Sequence, residues 1–342
     1  MSKYNKGALD RIAKEHGFVR DTFEKVLRLK EILLFLNTDD YLKKHLVLKG
    51  GTAINLLIFN LPRLSVDIDL DFMPSISKEE TNNEREKITK IVKSYMEQEG
   101  YCLSEASRYS HSLDAFMFQY ENAAGNYDNI KVEINYSLRA HLFSPIVAEI
   151  IPSIFADGVG ICMLEPLEIF AAKTNALMSR ATARDLYDFN NMVRLDIFDG
   201  DKQELLRKSI VFYASISAQK INKNFDTSAI NRIDFSKIRR DLLPVLREAG
   251  EFDLEERKRE ARDFINNLMV LTAEENEYLR CFELGEYKPE LLFENNVILE
   301  NIKEHPMALW KTQNYKFDLF GDAIPDGRLT SPSNRKNYHI LK

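Results

Sequence analysis

The apolar residues of this chain keep two rhythms. Through about residue 200 the runs HLVLK, VDIDLDF, LDAFMFQY and IKVEINYS are short and strand-like, and helical stretches separate them. That alternation predicts an α/β or α+β unit. Beyond it the strands stop, and QELLRKSIVFYASISAQK, FSKIRRDLLPVLREAG, DLEERKREARDFINNLMVL and TAEENEYLRCFELG place apolar residues at helical spacing. The chain is therefore expected to divide into residues 1–200 and 201–342, the second part a helical domain. Its tail, IPDGRLTSPSNRKNYHILK, is rich in turn formers and expected to be loosely ordered.

One strand-like run departs from an ordinary amphipathic pattern. In VDIDLDF the side chains of Asp67, Asp69 and Asp71 point to one face, and those of Val66, Ile68, Leu70 and Phe72 to the other. Carboxylates about 7 Å apart along a strand repel one another unless a cation sits among them. A divalent metal answers that need; an acidic edge strand that resists aggregation is the competing reading. Just upstream, LVLK runs into Gly50, Gly51 and Thr52, followed by the helix-like AINLLIFNL. Glycines at a strand-to-helix turn let backbone N–H groups approach a phosphate chain, although a plain turn has the same sequence. Together the two segments read as a triphosphate cradle facing a metal-binding pair.

Composition removes other classes. The 342 residues, 44% hydrophobic, suffice for two buried cores. A formal net charge of −6 argues against a generally basic surface, so any polyanion must be met locally. Cys102, Cys162 and Cys281 form no CxxC pair, which leaves neither a disulfide framework nor a cysteine zinc site. The start lacks an apolar signal core and no run of about 18 uncharged apolar residues follows. No membrane is expected, and a cytoplasmic location is. The motifs GxxxxGK[ST], GxGxxG, HExxH and GxSxG are absent; an EF-hand starting at Asp67 would meet Phe72 and Lys78 where Gly and Glu are required.

The blocks KGGTAINL, RLSVDIDLDF and KTNALMSRATARDLYDF, in that order, resemble the AbiEii/AbiGii toxin family, to which the MenT toxins are related, within the DNA polymerase β-like nucleotidyltransferase superfamily. The resemblance covers roughly residues 45 to 195; the helical half, with its late MALWK segment, is similar more weakly. It implies an α+β fold: N-terminal helices and a mixed sheet flanked by helices, followed by an α-helical C-terminal domain. It also implies that Gly50, Gly51 and Thr52 hold nucleotide phosphates, that Asp67 and Asp69 bind magnesium (Mg2+), and that Lys173 contacts the triphosphate. An aspartate of the RDxxD string is then catalytic. Asp185 sits three residues after a candidate N-cap, Thr182, and can simply stabilise a helix start, so Asp188 is favoured.

Other residues keep two readings. Arg180, seven after Lys173, shares its helix face, and Arg184 can pair with Asp188 or with a phosphate. Arg63 and Ser65 form the family's Arg-x-Ser lead-in; Arg63 can touch phosphate or brace the strand, with bracing ranked higher. Glu133, in IKVEINYS, is either the third metal-side carboxylate, serving as base toward an attacking hydroxyl, or an ion-pair partner of Lys131. Asp71 is an outer acid or, in slight preference, faces solvent.

By resemblance the chain is a growth-arresting toxin of phage defence (abortive infection), restrained by a separately encoded antitoxin. It would move NMP from an NTP to a hydroxyl, with the 3′ end of tRNA or another RNA as the leading acceptor. The same transfer to a small molecule or protein hydroxyl, and a non-catalytic NTP-binding module, are the alternatives. The clusters KIRRD and ERKREAR can grip an RNA backbone or be solvated helix faces.

Overall fold

The computed structural model of the chain describes residues 3–155, 158–217, 221–247 and 252–320. The turn-rich tail lies outside them. Eight strands form one mixed sheet: β1 (Leu46–Lys49), β2 (Asp67–Phe72), β3 (Cys102–Leu103), β4 (Arg108–Tyr109), β5 (Leu113–Glu121), β6 (Tyr127–Asn135), β7 (Ile146–Ala148) and β8 (Ile161–Met163). The order is β3-β5-β6-β2-β1-β8-β7, with β4 also on β5. At its centre β2 runs antiparallel to β1 and parallel to β6. The expected α+β mixed sheet flanked by helices is the fold observed. The short strands β3, β4, β7 and β8 carry too little pattern to be read from sequence.

The central strands hold their two faces apart as alternation requires. Ile68, Val132, Ile134 and Ile130 are fully buried on one side, against the helix Arg20–Thr38. That helix is tied to the sheet by Asn37, whose Oδ1 accepts from the Cys162 amide at 2.8 Å. The opposite, acidic face is roofed by the helix Pro166–Ser179, which starts on Glu165 as N-cap with proline in its first turn. Between β1 and β2 the chain passes through a helical turn, Gly50–Ala53, that continues as a π-turn, Ile54–Ile58.

The second half is helical: Asp201–Ile216, Leu254–Leu268, Ala273–Glu283, Asn296–Ile302 and Pro306–Phe320. The first of these packs on Pro166–Ser179, and Leu254–Leu268 packs on Ala183–Arg194. Arg194 pairs with Glu260 at 2.8 Å, so one side of the charged run in that helix faces the first half rather than water alone. FSKIRRDLLPVLREAG is not one helix. It breaks into Phe235–Lys237, a π-turn Ile238–Leu242 and a 3-10 turn Leu243–Val245. Pro244 removes a helical donor, and Leu246 leaves to bridge Arg63.

Candidate active site

Sheet register assembles the site. Lys49 lies opposite Asp69; Asp67, Asp69 and Asp71 lie beside Lys131, Glu133 and Asn135. Three strands thus bring four acids and two lysines to one face. Asp69 is half-buried, and burial together with the Asp67 and Glu133 carboxylates pushes it up to about 6, against the pull of Lys49 and Lys131. Glu133 meets both of its readings: it is the sheet neighbour of Asp69, and it pairs with Lys131 at 2.8 Å.

The glycine turn presses directly on these acids. Gly50 has φ +74°, and a Cβ there would collide with the Asp69 carboxylate. A Cβ on Gly51 would stand 2.8 Å from an Arg63 guanidinium nitrogen and 3.0 Å from Ser65 Oγ. Both glycines are therefore conditions of the close approach. The Thr52 side chain serves the turn itself. It is fully buried, and its hydroxyl donates to the Asp67 carbonyl oxygen, which ties the turn to β2.

Asp71 does not face solvent. It is 1% exposed, 2.5 Å from Lys49 Nζ and 3.3 Å from His141 Nε2, and these cations hold its carboxyl below the usual range despite burial. Beyond His141 lies buried Glu168, which accepts from the Leu142 amide at 2.9 Å and from the Tyr213 hydroxyl. Burial raises the Glu168 carboxyl. Sequence reasoning missed Lys49, His141, Glu168 and Tyr213. A signal exists for two of them: Lys49 directly precedes the glycines, and Glu168 is a carboxylate between the apolar Leu167 and Ile169. His141 and Tyr213 carry none.

The third block divides its two aspartates. Thr182 caps the helix Ala183–Arg194 by accepting from the Asp185 amide at 3.2 Å, as its spacing predicts. The Asp185 carboxylate also reaches Lys173 at 3.0 Å and Arg180 at 2.9 Å. Against the cost of burial those cations hold Asp185 down to about 2. Asp188, fully buried, takes both arms of Arg63 at 2.7 Å and Lys173 at 3.0 Å. It lies behind the cavity wall, whereas Asp185 lines it. Arg63 is held by Asp188 and also lines that cavity. Arg184 does not take the expected pairing with Asp188, whose oxygens are occupied. Its Nε donates to the Asp241 carbonyl at 2.7 Å, and its Nη1 lies 3.9 Å from Asp67.

Two cavities meet over the acids. One, about 440 Å³, spreads from Asp69 and Glu133 under the helix Pro166–Ser179, between Leu113, Leu138 and Ile169. The other, about 360 Å³, is lined by Arg63, Ser65, Arg184 and Asp185. Gly51, Asp67, Asp69, Lys173 and Arg180 border both. Such a concentration of cations beside a helix start suits a polyphosphate. Among the described residues no three His, Cys, Asp or Glu side chains converge on a metal position. The donor set that fits is the open one of Asp67 and Asp69. Magnesium takes one or two carboxylates together with substrate phosphates in such sites, and Asp69, raised by burial and then by its acidic neighbours, would gain from a cation.

This geometry can be compared with known proteins. The family model for the nucleotidyl transferase AbiEii toxin, of a type IV toxin–antitoxin system, matches residues 32–271. The chain belongs to the AbiEii toxin family. It is therefore a nucleotidyltransferase, and membership implies an NTP substrate and a separate antitoxin. Nucleotidyltransferases of this kind generally use a divalent metal. Among solved structures, MenT4, a nucleotidyltransferase toxin from Mycobacterium tuberculosis H37Rv, matches over 90% of this chain and 99% of its own at a TM-score of 0.60, with 16% identity. At that identity the likeness shows the fold. No curated protein gives a match. Among the described residues no helix is long and apolar enough to cross a membrane.

Proposed function

We propose that this AbiEii-family toxin moves NMP from an NTP to the 3′ hydroxyl of tRNA and so blocks translation and growth. It would act in the cytoplasm as an abortive-infection defence against phage. The observation that carries the reading is the position of Asp67 and Asp69 at the junction of two cavities, against a turn whose two glycines allow the close approach. The triphosphate lies along Gly50 and Gly51, with Lys173, Arg180 and Arg184 as its cations. Asp185 faces the substrate. Asp188 is a positioning residue that holds Arg63 and Lys173 in place. Magnesium held by Asp67 and Asp69 supplies neutralisation of charge on the phosphate oxygens.

Glu133 takes the proton of the acceptor hydroxyl as its oxygen bonds to the α-phosphorus, and the bond to pyrophosphate breaks. Positioning and charge stabilisation supply most of the rate. The second part of the chain, whose described helices run from Asp201–Ile216 to Pro306–Phe320, would handle the acceptor.

The test is incubation of the purified protein with total RNA, magnesium and each labelled NTP in turn. Label in the tRNA band is expected, and Asp67→Asn with Asp69→Asn should lower its rate by roughly 10²–10³-fold or more. Label on small molecules or protein, with RNA bare, overturns the acceptor. Parental rates in the double variant overturn the site.

A further inference from the structure

The KIRRD cluster is not absorbed by the chemistry above, yet it stands at the mouth of the second cavity. Asp241, its last residue, lines that cavity, and its carbonyl accepts from Arg184, whose other arm approaches Asp67. Phe235 is 53% exposed, and the Arg239 guanidinium lies 5.6 Å from its ring centroid. The nearby acids are engaged: Asp234 caps the short helix by accepting from the Lys237 amide at 2.9 Å, and Asp241 is held by Arg240 at 2.7 Å. Among the described residues no carboxylate pairs with Arg239. An aromatic ring left in water with an uncompensated arginine over it, within two helical turns of a cavity-lining residue, is a stacking platform without its base.

We propose that Phe235 and Arg239 receive the unpaired 3′-terminal segment of a polyribonucleotide acceptor, one base stacking on the ring while Arg239 and Arg240 meet the backbone. This rests on the reading of an RNA acceptor and adds the surface that recognises it. The occupant is single-stranded because a base reaches an exposed ring only when freed from its own stack. A nucleic acid is favoured over an acidic protein because each nucleotide brings together the two groups this pair meets, a flat base for the ring and a phosphate for the arginine beside it.

The full chain is titrated with a fluorescent single-stranded oligoribonucleotide, a duplex of the same sequence and polyglutamate, and NTP binding is measured alongside. Wild type is expected to bind the single strand best. Phe235→Ala should weaken it roughly 5- to 100-fold, with Phe235→Trp restoring affinity. Arg239→Ala should weaken it and reduce the salt slope by about 0.7, the value for one single-strand phosphate contact. Neither variant should change NTP affinity. Equal affinity for the duplex or polyglutamate, or a Phe235→Ala protein that binds like wild type, overturns the platform. Because Phe235 and Arg239 are exposed, their replacement leaves the fold intact, and unchanged NTP affinity verifies it. Loss of the acceptor reading is read separately, in the wild-type transfer assay.

Discussion

Two groups of acids lie close to the same cavities, the second reaching them through Asp185 alone, and they live under opposite electrostatics. On β2 and β6, Asp67, Asp69 and Glu133 crowd together, and Asp69 is pushed up to about 6. On the helix Ala183–Arg194, Asp185 and Asp188 are surrounded by Arg63, Lys173 and Arg180, and both carboxyls are held low in spite of burial. The first group is short of positive charge and the second is saturated with it. Acids short of charge gain from an incoming cation. Saturated acids have no such need; they fix the positions of the cations around them.

The contrast breaks or sharpens under substitution. The largest effect falls on Asp188→Ala, which strands Arg63 without a partner in the interior; a loss of about 3–5 kcal/mol in unfolding free energy is expected from denaturant titration. A variant as stable as wild type would end the description of the second group as saturated.

Asp185→Asn comes next. Its folded carboxyl, at about 2, lies below the unfolded value, so its stabilisation is present above about pH 4 and lost as pH falls through about 2. The variant should be about 2 kcal/mol less stable at pH 7, and the gap should close in acid.

Asp69→Asn reverses the sign. Here the folded carboxyl is raised, so the folded protein prefers the proton and wild type loses stability as pH climbs from about 4 to about 6. In chelator-treated buffer the variant should gain about 1 kcal/mol at neutral pH, a value reduced for solvent screening, with no gain near pH 4. A destabilised variant would mean that the first group is already balanced. The trade of stability against function expected at an active site would then be missing.

Much of the site was legible because its signals are local. Alternation put Asp67 and Asp69 on one face, the glycines marked the turn beside them, and Thr182 with Asp185 marked a helix start. Three readings needed distance. Thr52 looked available to phosphate until the Asp67 carbonyl took its hydroxyl. Asp71 looked solvent-facing, but Lys49 and His141, the latter seventy residues away, enclose it. Asp188 rather than Asp185 was favoured at the substrate, yet Arg63, 125 residues distant, pairs with Asp188 while Asp185 lines the cavity. The broken helix around Pro244 did carry its own warning, since proline cannot continue the ladder of hydrogen bonds.

The amino-acid sequence by itself determined the chemistry on offer: acids at every second position of a strand, a glycine turn before them, and the blocks that mark an AbiEii nucleotidyltransferase. Those properties follow from backbone periodicity and covalent neighbourhood. Only the tertiary structure decided which acids keep their charge to spare. Burial and the placement of cations set that balance, and both depend on residues that folding brings together from distant parts of the chain.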